Sequence, residues 1–130
     1  MYSRTTQNIR ITVEPSFLDE DSVPNENYFV WSYYVVIENL GHEPIQLMSR
    51  HWQITDAYGQ IQQVSAEGVV GEQPTIQPGE AFEYISGAPL TTPSGIMVGF
   101  YRMETMDGEV FEAKIPAFSL DSPFQEVKIN

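Results

Sequence analysis

The sequence contains no cysteine, and its 6 lysines and arginines are outnumbered by 18 acidic residues. Without cysteine there is no disulfide framework, thiolate nucleophile or cysteine-based zinc site. The formal net charge of -12 at pH 7 repels phosphate groups, which proteins bind with lysine and arginine. We therefore expect neither nucleic acid nor an anionic membrane as a direct partner.

Long apolar runs are missing as well. A transmembrane helix needs about 18 or more consecutive apolar residues, whereas the densest apolar run, Tyr28–Ile37, is interrupted by Ser32. Residues 1–8 are polar and lack the apolar centre of a secretory signal. The sequence therefore predicts a cytoplasmic protein with no membrane contact.

Helical periodicity is also missing, because no long window carries an apolar face with helical spacing that is free of proline and glycine. Alternation with a period of two is frequent instead, as in Ile9, Ile11 and Val13, a strand that we expect Pro15 to end. Asn27–Leu40 is the longest alternating run, and both its faces are apolar or aromatic. It should be a central strand that is covered on both sides along part of its length.

More strands are predicted after residue 40, each bounded by turn residues. They are Pro44–Asp56, Gln60–Ser65, Glu80–Ser86, Gly95–Glu104 and a return strand with Phe111, Ala113 and Ile115 inside and Pro116 at its end. Asp107-Gly108 between the last two is a strong hairpin signal. Alternation also predicts which residues share a strand face. In Pro44–Asp56, one face carries Ile45, Leu47 and Ser49, and the other carries Met48, Trp52 and Ile54. In Gly95–Glu104, one face carries Ile96, Val98 and Phe100.

This spacing of seven to eight short strands in 130 residues is typical of an antiparallel β-sandwich of the immunoglobulin or fibronectin type III kind. We expect a single domain over residues 1–130, with residues 121–130 as an extended or loose tail. Trp31 and Trp52 lie in alternating apolar runs, and we expect both in the core between the sheets.

The glycine-containing segment at residues 66–71 is one glycine short of a dinucleotide-binding fingerprint, since Ala66 occupies the first glycine position. Such a fingerprint needs a following helix to hold the pyrophosphate, but Pro74 and Pro78 follow instead. The segment is either a structural loop between strands or a partner-binding loop with Val69 and Val70 as an apolar tip. The candidate binding residues are Glu67, Gly68, Val69, Val70, Gly71, Glu72, Gln73 and Pro74.

Other polar groups give weaker signals. The acidic run Asp19-Glu20-Asp21 lacks the spacing of a calcium loop and is typical of a solvated loop. His51 lies beside a tryptophan in a strand and His42 lies in a turn, and neither has further ligands at metal-binding spacing. No serine occupies a nucleophile elbow. We therefore expect no catalytic residues, no metal site and no cofactor.

Several motifs resemble the ApaG family. Leu47–Asp56 is similar to the family's Arg-x-Trp-x-Ile-Thr-Asp strand, and Gly68–Pro74 is similar to its most recognisable stretch. Further matches follow in the family's order: Pro78-Gly79-Glu80, Phe82-x-Tyr84, Ser86-Gly87, Gly95-x-Met97-x-Gly99-x-Tyr101 and Ile115-Pro116-x-Phe118-x-Leu120. The resemblance covers nearly the whole chain as one colinear block, and Ala66 departs from it where many members carry glycine.

The resemblance implies a fibronectin type III-like sandwich without an established enzymatic activity. It also implies an association with cobalt and magnesium handling in bacteria, and a protein-binding role where eukaryotic proteins carry the domain. We therefore expect a non-enzymatic protein-interaction module with an unidentified protein partner, present as a monomer or weak homodimer. The alternative is a small-ligand or divalent-cation binding protein linked to cobalt and magnesium handling.

Overall fold

The computed structural model describes residues 1–123, and nine β-strands dominate them. The strands are β1 (Tyr2–Thr6), β2 (Ile9–Phe17), β3 (Phe29–Asn39), β4 (Ile45–Asp56), β5 (Ile61–Glu67), β6 (Thr75–Ile76), β7 (Ala81–Leu90), β8 (Ser94–Thr105) and β9 (Val110–Asp121). Within these residues helical structure is confined to a 3-10 turn at Pro24–Glu26. The predicted all-β class is therefore confirmed, and no helix in this range has the length and apolar character to cross a bilayer.

The strands form two antiparallel sheets that enclose one core. The first sheet has the order β1-β2-β3-β7, and the second has the order β5-β4-β8-β9 with β6 paired beside the start of β4. This confirms the predicted sandwich. It has more than the seven to eight strands expected, because Tyr2–Thr6 and Thr75–Ile76 also pair with neighbours.

Both tryptophans lie between the sheets, as predicted. Trp31 on β3 is 1% exposed and Trp52 on β4 is 4% exposed. Tyr33 of the first sheet contacts Trp52 of the second, with ring centroids 5.2 Å apart. Phe17 packs edge-on against Trp31 at 5.3 Å. The aromatic residues therefore join the two layers and supply much of the buried apolar area.

The central position of β3 is confirmed, since it lies between β2 and β7. Its inner face is buried from Phe29 to Ile37, but Val30, Tyr34 and Val36 on the opposite face are only partly buried. The expected cover on both faces is wrong, because the described residues provide no third layer over this sheet. Aromatic and β-branched side chains on the outer face reflect strand propensity rather than burial.

Two prolines lie inside strands that they were expected to end. Pro15 is part of β2, opposite Tyr33 and beyond the last residue that pairs with β1, so its missing N–H faces an unpaired edge. Pro116 is part of β9 and lies at a β-bulge against β8, where the ladder is already interrupted. Each proline occupies a position where a strand tolerates the loss of a donor.

A β-bulge in β4 changes which side chains enter the core. The pairing with β8 shifts between Leu47 and Ser49, so Met48 is an extra residue. Regular alternation would keep Ser49 on the same face as Leu47. The bulge instead turns Arg50 and Trp52 inward, and Leu47 and Trp52 are both buried. The prediction that they lie on opposite faces is therefore wrong.

The face of β8 that Ile96, Val98 and Phe100 share is the outer one. Ile96 is 52% exposed, whereas Met97 and Tyr101 are fully buried. The residues that alternate with the outer ones include Gly95 and Gly99, so this inner face is less apolar in the sequence than the outer face. Alternation of apolar residues therefore does not identify the buried face of β8.

The predicted hairpin at Asp107-Gly108 is confirmed. The Thr105 N–H donates to the Glu109 carbonyl at 2.9 Å, and Gly108 has a φ of +85° that glycine adopts without strain. Of the tail predicted at 121–130, Asp121 is the last residue of β9, and residues 124–130 lie outside the described residues.

Candidate functional site

The glycine loop, residues 67–74, lies over the bulge of β4 and is anchored there by hydrogen bonds. The Met48 carbonyl accepts the Gly68 N–H at 2.8 Å and the Gln73 side-chain amide at 2.9 Å. The Leu47 N–H donates to the Pro74 carbonyl at 2.9 Å. The Arg50 guanidinium donates from Nη1 to the Gly68 carbonyl at 2.7 Å. The loop is thus tied to β4 at both ends.

The tip of the glycine loop is a tight turn from Val69 to Glu72. These two residues exchange backbone hydrogen bonds of 2.8 and 2.9 Å. Val70 and Gly71 between them have φ values of +50° and +78°, as a type I′ turn requires. Val69 is 0% exposed and Val70 is 65% exposed. The predicted apolar tip therefore holds for Val70 alone, and Val69 is a core residue.

Gly68 is required by two features of the backbone. Its φ is +62°, and a Cβ atom at this position would lie 2.1 Å from the Glu72 carbonyl oxygen. Ala66 belongs to β5 rather than to the loop, and the strand β6 follows the loop where a dinucleotide site needs a helix. The glycine pattern is therefore explained by the turn, with no need for a phosphate ligand.

The two valines of the turn give a direct test of this geometry. Val69→Ala is expected to lower the free energy of unfolding by about 2 kcal/mol, because it removes two methyl groups from a buried site. Val70→Gly is expected to raise it by up to about 1 kcal/mol, because glycine relieves the positive φ. Urea unfolding measures both effects. Equal effects of the two substitutions would contradict the turn.

The strand β5 forms an open edge of the second sheet. It pairs with β4 on one side only, and six of its seven residues are exposed. Two hydrogen bonds flank the pairing of β5 with β4: the Asp56 N–H donates to the Gln60 carbonyl, and the Gly68 N–H donates to the Met48 carbonyl. Because bonded and non-bonded pairs alternate along an antiparallel ladder, every second residue turns its N–H and C=O away from β4. The residues that do so are Ile61, Gln63, Ser65 and Glu67.

Other sheet edges in the described chain carry features that discourage strand pairing. Pro89 lies in β7, Arg4 lies in β1, and Lys114 lies in β9, where its N–H donates to the Thr6 hydroxyl of β1 at 3.3 Å. Prolines and basic residues on edges are the usual protection against unwanted pairing. β5 contains no proline, lysine or arginine, so it is the least protected of these edges.

A groove of about 230 Å³ runs between β5 and β7, the open side of the sandwich. This β5–β7 groove has Tyr33, Arg50, Trp52 and Ser86 among its polar lining residues. Burial raises the pKa of the Tyr33 hydroxyl, so tyrosine stays neutral here and Arg50 is the charged group. No carboxylate lines the groove.

Behind the groove, Tyr84 and Tyr101 share a buried hydrogen bond between their hydroxyl groups. Burial raises the pKa of both phenols, and the positive charge of Arg50 opposes part of that rise. The two hydroxyls satisfy each other, because one donates and the other accepts. They therefore form a neutral polar floor beneath Arg50.

A second cleft, of about 450 Å³, lies on the outer face of the second sheet and includes His51. Its ring nitrogens both bond to serine hydroxyls at 3.0 Å, Nε2 to Ser49 and Nδ1 to Ser65. The ring also stacks on Phe100 at 4.6 Å, and Lys114 lies 5.6 Å from the centre of that phenyl ring. His51 is thus fully engaged within the sheet surface, which favours its structural interpretation.

The acidic run and His42 remain apart from this region. Asp19, Glu20 and Asp21 are exposed in the connection from β2 to β3, and His42 is exposed in the turn before β4. Among residues 1–123, no three or more histidine, aspartate or glutamate side chains come together in a way that could hold a metal ion.

Sequence reasoning found the glycine loop but missed the neighbouring edge and groove. The loop directly follows β5 in the chain, whereas the groove residues come from five strands, β3, β4, β5, β7 and β8. A usable signal was Arg50, a charged residue in the middle of a predicted strand. Its inward direction depends on the bulge at Met48, which the sequence pattern does not reveal.

Comparisons with known proteins agree with this fold along the chain. A family model described as the ApaG domain matches residues 19–105. Proteins named ApaG from Rhodospirillum centenum and Paramagnetospirillum magneticum are 62% and 57% identical over 130 residues, with all of both chains covered. A crystal structure of a Bordetella pertussis protein described as ApaA is 44% identical, with a TM-score of 0.86 over 88% of this chain and 94% of that one. The chain therefore belongs to the ApaG family.

Proposed function

We propose that the protein is a non-enzymatic interaction module that binds an extended segment of a partner protein along β5. The observation that carries this proposal is the open edge of β5, with seven residues and no proline or basic residue. A strand added there would pair with the outward N–H and C=O groups of Gln63 and Ser65. Main-chain pairing of this kind provides affinity, and the side chains on alternate positions provide specificity.

The glycine loop extends this surface. It begins at Glu67, the last residue of β5, and it presents Val70 with 65% of its surface exposed. Its hydrogen bonds to β4 hold the turn in place before binding, which reduces the ordering cost of association. We therefore assign the candidate residues 67–74 to the partner surface through Val70 and the two exposed glutamates, while Val69 supports the turn from within.

The charge of the protein defines the kind of partner. Exposed Glu67 and Glu72 flank the open edge, and the chain as a whole carries -12. A second copy of this chain would be repelled, whereas an extended segment with lysine or arginine would be attracted. We therefore propose a basic partner segment in the cytoplasm and a monomeric free protein.

Enzymatic and cation-binding functions have less support. Nucleophilic catalysis uses a nucleophile, a base and a group that orients the base within one pocket, whereas His51 is bonded to two serines and the β5–β7 groove has no carboxylate. A divalent cation prefers several oxygen ligands at one point. The exposed carboxylates described here are dispersed, as expected of a solvated acidic surface.

A proline substitution in β5 tests strand addition. Gln63→Pro removes an N–H that points away from β4, so pairing with β4 is retained while the added strand loses a donor and meets the proline ring. Gln63→Ala is the matched control, because it changes the same side chain and keeps the N–H. The probes are linear peptides selected from a displayed random library on the wild-type protein.

We expect the selected peptides to be enriched in lysine and arginine and to bind Gln63→Ala within about twofold of wild type. Gln63→Pro should weaken their binding at least about tenfold. This is the loss expected when one main-chain hydrogen bond is removed and the adjacent pairing is disturbed. Circular dichroism and thermal melting check that both variants fold. Equal binding to both variants, or a selection that yields no linear peptide, would contradict strand addition at β5.

A further inference from the structure

Arg50 is a positive charge on the inner side of a sheet without a carboxylate partner. The ion pairs within residues 1–123 join Arg10 to Glu38 and Lys114 to Glu112. The hydrogen bond that Arg50 donates goes to the Gly68 carbonyl, which uses one of the five N–H donors of a guanidinium. In a chain with 18 acidic residues, an inward arginine without an acid leaves a place for an external anion.

Trp52, one of the residues that line the groove, carries a buried donor without a partner among the described residues. Trp52 is 4% exposed and lines the β5–β7 groove, and its indole Nε1 is buried without a hydrogen bond among the described residues. A buried donor left unpaired is costly, so this indole N–H would gain from a hydrogen-bond acceptor that reaches it. The hydroxyls of Tyr33 and Ser86 also line the groove and hydrogen-bond to each other, so together they can offer one further donor.

Apart from Gln62 and Gly87, the remaining lining of the groove is apolar. Its members come from four strands and are Ile54, Val64, Ala88, Pro89 and Met97. Ligand pockets commonly combine an apolar lining with a few convergent polar groups. The volume of about 230 Å³ limits the ligand to a small molecule.

We propose that the β5–β7 groove binds a small monocarboxylate with an apolar body. The carboxylate accepts hydrogen bonds from Arg50, which can bind it through two parallel N–H donors. The apolar body packs against the residues from β5, β7 and β8. The long-range field of the protein opposes a second negative charge, which favours a monoanion over a phosphate ester or a dicarboxylate. This proposal does not depend on strand addition at β5.

Benzoate is a suitable probe, and benzamide is its neutral counterpart of the same shape. The two tryptophans give two indole N–H signals in a nitrogen–proton correlation spectrum, and Trp52→Phe assigns them. We expect benzoate to shift the Trp52 signal with saturation below about 10 mM, and to leave the Trp31 signal in place. Benzamide should bind at least about tenfold more weakly, because it lacks the charge.

Three substitutions separate the groove from its surroundings. Arg50→Gln should weaken benzoate at least about tenfold. Arg102→Gln removes the same charge from the exposed face of β8 and should change the affinity less than about twofold. Gln73→Ala removes a hydrogen bond that holds the glycine loop, as Arg50→Gln also does, but Gln73 does not line the groove. Gln73→Ala should therefore change the affinity for benzoate less than about twofold.

The proposal is wrong if benzoate and benzamide bind equally, if neither shifts the Trp52 signal, or if Arg50→Gln and Arg102→Gln behave alike. A loss with Gln73→Ala equal to that with Arg50→Gln would place the effect in the loop and overturn the assignment to Arg50. The benzoate and benzamide comparison uses the wild-type protein, so it decides the question even if Arg50→Gln fails to fold.

Discussion

Trp31→Ala is expected to lower the free energy of unfolding by about 3–5 kcal/mol, the range found for aromatic residues truncated in well-packed cores. Trp31 is 1% exposed on the central strand of the first sheet, and Phe17 packs against its ring. Its indole Nε1 has no hydrogen-bond partner among the described residues. The loss therefore comes from packing and apolar burial rather than from a broken hydrogen bond.

Chemical denaturation with an unchanged m-value measures this effect. Tyr58→Ala is the control, because Tyr58 is 84% exposed in the turn after β4 and should change stability by no more than about 0.5 kcal/mol. A loss below about 1 kcal/mol for Trp31→Ala would place that side chain outside the core.

Gly99→Ala is expected to destabilise the protein by about 3 kcal/mol or more, as overpacking against a fixed backbone does in severe cases. A Cβ atom at this position would lie 2.2 Å from the His51 carbonyl oxygen. The atom that it meets is backbone, and it belongs to β4, the strand that pairs with β8 along most of its length. Alanine therefore forces apart the two central strands of the second sheet.

Gly87→Ala is the matched control for this effect. Gly87 also lies in a strand and lacks a positive φ, but its added Cβ atom would meet the Trp31 carbonyl oxygen at 3.6 Å, an ordinary contact. Since alanine restricts the unfolded chain, Gly87→Ala should be neutral or stabilise by up to about 1 kcal/mol. If thermal melts show the same change in stability for Gly99→Ala and Gly87→Ala, the backbones of β4 and β8 do not approach closely at Gly99.

Much of the fold follows from local patterns in the sequence. Period-two alternation located β3 and β4, and the Asp107-Gly108 pair located the hairpin between β8 and β9. The wrong predictions of strand faces and strand ends arose where a single residue interrupts the regular pattern. Met48 in its bulge moves every later residue of β4 to the opposite face. Pro15 continues β2 because its neighbour strand has already ended, a fact about pairing that no local pattern contains.

The candidate site was predictable only in part, for the same reason. The glycines at 68 and 71 indicated a tight turn, and the turn is present. The sequence could not reveal that one valine of the pair is buried, because that depends on how the turn lies on the bulge of β4. The β5–β7 groove depends on the sheet topology, because β5 and β7 are edge strands of different sheets. Their packing brings together residues that are distant in the chain.

Amide hydrogen exchange along β5 tests the proposed strand addition most directly. In the free protein, the amides of Gln63 and Ser65 should exchange fast, while that of Val64, which faces β4, should exchange slowly. A bound library-selected peptide should slow Gln63 and Ser65 and leave Val64 as it was. If the peptide binds while Gln63 and Ser65 exchange as fast as before, the partner does not pair with β5 and the central claim fails.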